Sequence, residues 1–136
     1  TQNAIVVCAL TGVTSGDIVI TVQSGGYNPS KYAISVYQMT KGSITPTDTW
    51  GASLATNPTD TINIAAGGFC ICQASALTSS TFTWSGLTER FDASANPAIS
   101  VAADFDMSAE TGRSITATPS GSPSQRVGIG ASFEAA

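Results

Sequence analysis

Hydrophobic and polar residues alternate with a period of two in short runs along most of this chain. In Asp17–Gln23, for example, Ile18, Ile20 and Val22 share one face of an extended strand. Such alternation is typical of half-buried β-strands. It predicts about nine strands, set off by Gly, Asn-Pro and Ser-Pro turns: Asn3–Leu10, Asp17–Gln23, Tyr32–Thr40, Thr61–Ala65, Phe69–Ala76, Thr81–Asp92, Ala98–Met107, Arg113–Thr118 and Gln125–Phe133.

The alternation also predicts which side chains face the core. In the seventh run Ile99, Val101, Ala103 and Phe105 oppose Ser100, Asp104 and Asp106, and in the last run Val127, Ile129, Ala131 and Phe133 oppose Gly128, Gly130 and Ser132. We expect the apolar set of each run to be the core face, because burial of apolar area drives the packing of a sheet. Phe82 and Trp84 likewise share a face that we expect to be core.

Connections this short favour antiparallel neighbours, since a parallel crossover needs a dozen or more residues. The fold class is therefore all-β: an antiparallel two-sheet β-sandwich, jelly-roll-like or a related Greek key, formed by residues 1–136 as a single domain. The best helical candidate, Thr49–Ala55, is long enough for one or two turns at most. The weak strand character of Lys41–Thr59 predicts an excursion away from the sandwich that serves binding or subunit contacts.

The composition excludes several classes of catalytic site and of binding partner. The chain of 136 residues has no His, only 10% charged residues and a net charge of −4. Without imidazole, Ser-His-Asp and Cys-His catalysis are excluded. The five cations do not cluster, so nucleic acid is not an expected partner. The longest apolar stretches, Ala4–Leu10 and Ile62–Ala66, are far too short for a membrane helix, and no membrane partner is expected.

Two sets of side chains, carboxylates and thiols, are candidates for catalysis or metal binding. Acidic residues gather in the second half of the chain, and a glycosidase needs only two suitably spaced carboxylates; they are Glu89, Asp92, Asp104, Asp106 and Glu110. Asp104 and Asp106 share a strand face that is compatible with calcium, although surface carboxylates at a strand edge are the simpler interpretation. Cys70 and Cys72 also share a face, and with Cys8 we expect them to be buried thiols. We expect no metal, no cofactor and no catalytic residue.

Two aromatic rings are the candidates for exposed contacts. Tyr27 lies in a Gly-Gly-Tyr-Asn-Pro turn, and Trp50 lies in the long irregular stretch. Rings of this kind stack on sugars or on another subunit. The densest charge cluster adds Glu89 and Arg90, which point to opposite faces of a regular strand and are therefore not expected to pair with each other. One of the two is expected to anchor a contact between strands or subunits.

The segment Gly86-Leu87-Thr88-Glu89-Arg90 is followed by an Ala/Ser-rich strand at Ile99–Phe105, by Thr116-Ala117-Thr118 and by the closing Arg126–Phe133. In these features the chain resembles small β-sandwich virion proteins of tailed bacteriophages, over about its last two-thirds. The resemblance implies a structural component of the head decoration, head fibre or spike type. It also implies a virion location, homo-oligomeric assembly, and contacts with major capsid or with tail and fibre proteins.

The leading expectation is therefore a non-enzymatic bacteriophage virion protein that decorates or projects from the capsid. Its Ser/Thr/Gly/Ala-rich surface allows close approach to a partner without burial of unpaired charge. The alternative is a carbohydrate-binding or adhesin module that recognises host surface glycan through Trp50 and Tyr27. A third class, a small glycosidase or lyase, would depend on Glu89 or Asp104.

Overall fold

The computed structural model describes residues 36–37, 43–52 and 57–135, and these residues form β-strands and loops without a helix. Eight strands occur in this part of the chain: β1 (Asp48–Ala52), β2 (Thr59–Ile64), β3 (Gly68–Ala76), β4 (Phe82–Ser85), β5 (Glu89–Ala93), β6 (Ala98–Met107), β7 (Glu110–Pro119) and β8 (Arg126–Phe133). Since the described residues include no helix, none of them forms a helix long and apolar enough to cross a membrane. The predicted strands Asn3–Leu10 and Asp17–Gln23, and most of Tyr32–Thr40, lie outside the described residues.

The strands form two antiparallel sheets, which confirms the predicted all-β, two-sheet architecture. The five-stranded sheet has the order β1-β8-β3-β6-β5, and the three-stranded sheet has the order β2-β7-β4. The predicted run Ala98–Met107 matches β6 at both ends, and the runs for β2, β3, β7 and β8 match within three residues.

One predicted strand, Thr81–Asp92, is two strands in different sheets. β4 pairs with β7, whereas β5 pairs with β6. The chain turns between them at Gly86, whose φ of 86° is in the left-handed region. A Cβ at this position would collide with the backbone carbonyl of Ser114, so only glycine lets the chain cross from one sheet to the other here.

Within the described residues 43–52, the expectation that Lys41–Thr59 leaves the sandwich is wrong, and Thr49–Ala52, the described part of the best helical candidate Thr49–Ala55, is strand. Asp48–Ala52 is a strand on the edge of the five-stranded sheet, paired along its length with β8. The reason is Trp50, which is buried between the sheets and donates its indole N–H to the carbonyl of Ile115 at 3.2 Å. Burial of this large ring fixes the segment against the core.

Most of the apolar residues predicted as the core faces of β6 and β8 are buried, the exposed Phe105 and the half-buried Val127 and Ile129 excepted. The residues that face the other sheet are nevertheless the small ones that alternate with them. The main cluster between the sheets joins Cys70, Cys72, Ala102 and Trp50 of the five-stranded sheet to Ile62, Ile64 and Ile115 of the three-stranded sheet, with Leu87 and Met107. Besides the bond from Trp50 to Ile115, side-chain hydrogen bonds cross between the sheets from Trp84 Nε1 to Ser100 Oγ at 2.8 Å and from Ser132 Oγ to the carbonyl of Asn63 at 2.7 Å. Small residues lie here because the isoleucines and the two tryptophans already fill the space. Phe82 is buried and Trp84 packs on two clusters, which confirms their predicted core face.

Candidate functional site

Arg90 lies at the corner where the chain enters the five-stranded sheet. A bulge between Glu89 and Phe91 interrupts the pairing of β5 with β6. The Arg90 guanidinium donates from Nε to the carbonyl of Ala103 at 2.7 Å and from a terminal nitrogen to Asp104 Oδ1 at 3.2 Å. The Arg90 side chain therefore links strands β5 and β6, and it remains substantially exposed.

Glu89 lies beside Arg90 but has a different environment. It pairs in register with Ala102, whereas Arg90 occupies the bulge, so the simple picture of opposite faces on a regular strand does not apply. Desolvation by neighbouring protein raises the pKa of Glu89 above its usual value, and the negative charge of Asp92 raises it further. A role for Glu89 or Arg90 in contacts with another subunit remains a prediction.

Two exposed phenylalanines lie on the same face of neighbouring strands at this edge. Phe91 of β5 is 39% exposed and Phe105 of β6 is 46% exposed. We call this pair the aromatic rim. Phe105 stacks on Phe69 of β3 with ring centroids 6.0 Å apart, and Phe69 stacks on Phe133 of β8 at 4.6 Å. Phe105 is thus the exposed end of a row of rings on the five-stranded sheet, and its exposure shows that its predicted core position is wrong.

Several carboxylates close the edges of the sandwich by accepting hydrogen bonds from backbone N–H groups. The bonds run to Asp48 from Thr49 and Asn63, to Asp60 from Thr61 and Gly51, to Asp92 from Phe82, and to Asp104 from Thr88. The bonds from Asn63 and Thr49 hold the pKa of Asp48 below its usual value. Asp104 also pairs with Arg90, and Glu110 pairs with Arg113 at 2.7 Å. Three of the five acidic residues singled out from the sequence, Asp92, Asp104 and Glu110, therefore have structural partners.

The sugar platform expected from the sequence is not present at Trp50. Its side chain is 1% exposed, so it is not a ring on which a glycan can stack, and the expectation of an exposed ring is wrong. Trp50 backs an open cleft of about 530 Å³ beside β1 and β8. Among the described residues that line the cleft, Asp60 is the titratable one, and its Oδ2 accepts the N–H of Gly51 at 3.3 Å. Tyr27 lies outside the described residues.

The two described cysteines lie together in the core. Their sulfur atoms are 4.0 Å apart on one face of β3, both side chains are fully buried, and neither forms a disulfide. This confirms the predicted shared face and burial of Cys70 and Cys72; Cys8 lies outside the described residues. Contact with Cys70 and burial raise the pKa of the Cys72 thiol. In the described ranges, no group of three or more Cys, Asp or Glu side chains is placed to hold a metal ion.

The solvent face of the three-stranded sheet carries hydroxyl and amide side chains without charge. We call it the hydroxyl face; it consists of Thr59, Thr61 and Asn63 of β2, Ser114, Thr116 and Thr118 of β7, and Thr83 and Ser85 of β4. All are exposed except the half-buried Thr116. Thr59 and Thr116 are joined across the strands by a 3.0 Å hydrogen bond between their hydroxyls.

The sequence pattern did not single out the aromatic rim. Alternation with Val101 predicts a core position for Phe105, and the sequence pattern assigns no role to Phe91. The exposure of both rings follows from the position of their strands: Phe91 lies on β5, the last strand in the order of the described sheet, and Phe105 lies on its neighbour β6.

Comparisons with protein-family models, with curated proteins and with solved structures found no match for this chain. Inferences about function therefore start from the geometry of the chain itself.

Proposed function

We propose that this protein is a structural β-sandwich module that acts through protein–protein assembly and not through catalysis. The observation that carries the proposal is the aromatic rim. Phe91 and Phe105 are large apolar side chains exposed on neighbouring strands of one sheet, and each directly follows one member of the Arg90–Asp104 ion pair in the sequence. Exposed aromatic groups with polar neighbours are characteristic of contact sites between proteins.

The arrangement of the carboxylates supports a role without catalysis. A pair of catalytic carboxylates must be free to reach a substrate, one as acid and one as nucleophile or base. Here Asp104 is bonded to Arg90 and to the N–H of Thr88, and Asp92 accepts the N–H of Phe82. These side chains serve as bridges within the sandwich.

The more specific proposal is a bacteriophage virion protein that decorates or projects from the capsid as a homo-oligomer. It is supported by the resemblance of the sequence to such virion proteins and by the low charge of the surface. The hydroxyl face agrees with this, because uncharged hydroxyl groups can meet a neighbouring protein without the cost of desolvating ions. Many copies on one particle would strengthen a weak individual contact.

The rim is tested by replacing both rings with serine, Phe91→Ser together with Phe105→Ser. We expect the variant to remain folded but to lose self-association in sedimentation velocity and co-sedimentation with phage particles from the same source. The matched control is Leu77→Ser, at a side chain just beyond the end of β3 that is 38% exposed but lies outside the rim. The control is expected to associate like the parent protein.

The same samples distinguish the alternatives. Unchanged association of the double serine variant would contradict the role of the rim. Absence of the protein from every particle, combined with specific binding on a glycan array, would replace the virion proposal with a carbohydrate-binding module. Hydrolysis of a glycan that is lost in Glu89→Gln would replace it with an enzyme.

A further inference from the structure

Two strands at the same side of the sandwich, β1 and β2, share a sequence pattern. Asp48-Thr49-Trp50 lies in β1 and Asp60-Thr61-Ile62 lies in β2. Each strand is the last in the order of its described sheet. Trp50 and Ile62 are buried between the sheets, so the aspartate two residues before each of them is directed to the same inner side. Each aspartate is therefore placed to reach the strand of the opposite sheet.

The two aspartates bond to both strands in a reciprocal way. In each of them Oδ1 accepts the N–H of the following threonine, at 2.8 Å in both cases. The other oxygen bonds to the facing strand: Oδ2 of Asp48 accepts the N–H of Asn63 at 2.8 Å, and Oδ2 of Asp60 accepts the N–H of Gly51 at 3.3 Å. We call this pair of side chains the aspartate clasp. It joins one edge of the five-stranded sheet to one edge of the three-stranded sheet.

The clasp occupies the N–H groups that a further strand beside β1 would need. In an antiparallel pair the N–H groups of a strand point alternately toward its partner and away from it. Those of Thr49 and Gly51 bond to carboxylates and are directed away from β8. Both residues are exposed and line the open cleft beside β1, so this edge is accessible to a partner. Inward-pointing charges on edge strands are one way in which proteins prevent strand addition.

We propose that the aspartate clasp closes the edge of β1 to strand pairing at neutral pH, and that protonation of Asp48 and Asp60 opens this edge to β1 of a second copy. An ionised carboxylate accepts hydrogen bonds at both oxygens, whereas a protonated one carries an O–H donor on one of them. Protonation therefore leaves one N–H at each aspartate without its acceptor.

The charge of the clasp favours a second copy as the partner. Two β1 strands that pair about a two-fold axis present the same groups to each other, which is the arrangement of most homodimers. Such a contact brings the carboxylates of both clasps close together. Their repulsion opposes the contact while they are ionised and is absent once they are protonated. The same protonation thus frees the N–H groups and removes the repulsion between copies.

Other charged groups near the clasp have different partners. On the strands packed against the clasp, or just beyond them, these groups are Glu110, Arg113, Arg126 and Glu134. Glu110 pairs with Arg113, and Arg126 donates to Asn57. Within the described part of the chain, no cation forms an ion pair with either aspartate of the clasp. The backbone N–H bonds from β2 and from its own strand hold the pKa of Asp48 below its usual value, in agreement with a clasp that is ionised at neutral pH.

Amide hydrogen exchange in the full-length protein tests the closure of the edge. Asp48→Asn together with Asp60→Asn keeps the shape of both side chains but leaves one acceptor oxygen on each. At pH 7 we expect the protection of the N–H groups of Gly51 and Asn63 to fall about tenfold, the effect of losing one hydrogen bond. The parent protein is expected to lose the same protection at pH 3. The N–H of Cys72, in the central strand β3, stays protected in both cases and so distinguishes opening of the edge from unfolding.

Sedimentation velocity tests the pairing of copies. We expect the double asparagine variant to associate more strongly than the parent at pH 7, and the parent to associate more strongly at pH 3 than at pH 7. Gly51→Pro added to the double variant is expected to reverse the increase, because proline removes the N–H at the edge and a Cβ at this position has no atom within 4 Å. The matched control is Asp106→Asn with Glu134→Gln, which removes two exposed carboxylates outside the clasp. It is expected to associate like the parent.

The outcomes separate this proposal from the role of the aromatic rim. Unchanged protection of Gly51 and Asn63, in the double asparagine variant or in the parent at pH 3, would overturn the closure by the carboxylates. Association that persists with Gly51→Pro, or that does not increase at all, would overturn the pairing through β1. The rim lies at the other end of the described sheet, so Phe91→Ser with Phe105→Ser is expected to leave the increase in acid unchanged.

Discussion

The side chains on the inner face of the five-stranded sheet are small because the facing residues are large. Gly130 shows this most clearly. A Cβ on Gly130 would collide with the sulfur of Cys72 and lie 3.0 Å from the carbonyl oxygen of Ile71. The sulfur of Cys72 thus occupies the space that any other residue at position 130 would need.

We predict that Gly130→Ala destabilises the protein by about 1–3 kcal/mol, the usual cost of overpacking a filled core. Gly51→Ala, in the neighbouring strand of the same sheet, is the control, because a Cβ there has no atom within 4 Å. Urea unfolding followed by tryptophan fluorescence measures both. Equal stability of the two variants would mean that the contact of Cys72 with Gly130 does not limit the packing of the sheets.

At the scale of residues, the sequence predicted the alternation but not which face of each strand meets the other sheet. Val101 and Ser100 are both buried, so hydrophobicity alone chooses the wrong one as the inner residue. The size of the residues on the facing strands decides, and these come from distant parts of the chain. For the same reason the burial of Trp50 was not predictable, since it depends on the pairing of β1 with β8.

The sequence predicts the ends of strands best where turn residues such as Asn-Pro mark them. Asn96-Pro97 precedes β6, and the predicted start of that strand is correct. The transition from β4 to β5 was missed, although Ser85-Gly86 is a common turn dipeptide. A single glycine inside an alternating run does not reveal whether the chain continues in the same sheet, because that depends on the close approach of β7 to Gly86.

Two glycines with similar backbone conformations separate the effect of conformation from that of contact. Gly86 has a φ of 86° and Gly112 a φ of 68°, but only at Gly86 would a Cβ meet another atom within 4 Å. We predict that Gly112→Ala costs about 1 kcal/mol from backbone strain, and that Gly86→Ala costs at least about 2 kcal/mol more. Thermal unfolding compares the two. Similar losses for both would show that the contact with Ser114 can relax.

For the whole molecule, the two-sheet architecture followed from the period of alternation and the short connections, without any motif. The contacts that hold the edges of the sandwich together could not be predicted from the sequence. Asp48 illustrates the difficulty: in the sequence it is one acidic residue in an irregular stretch, whereas in the fold its Oδ2 accepts the N–H of Asn63 at 2.8 Å and joins β1 to β2. Such a role depends on which strands become neighbours.

This edge contact makes stability depend on pH. The hydrogen bonds lower the pKa of Asp48 in the folded protein, so its contribution to stability is present above the usual carboxyl pKa, near pH 4, and is lost as the pH falls through the lower folded value. We predict that Asp48→Asn reduces the loss of stability between pH 6 and pH 2.5 by a small amount, because the half-buried side chain still contacts solvent, which screens its charge.

Urea unfolding at several pH values measures this difference. Asp106→Asn is the control, since Asp106 is an exposed carboxylate on β6, three strands away from β1, with a positive φ that Asn tolerates. If both variants reduce the loss of stability at low pH equally, the carboxylate of Asp48 makes no specific contribution to the contact between β1 and β2.

The hydroxyl face has a consequence for how copies of this protein meet. Because its threonines and serines carry no formal charge, ionic strength has little to screen when two such surfaces approach each other. A contact made by two such surfaces would therefore keep nearly the same strength in dilute buffer and in concentrated brine, and a lattice held by it would not loosen when the ionic strength changes.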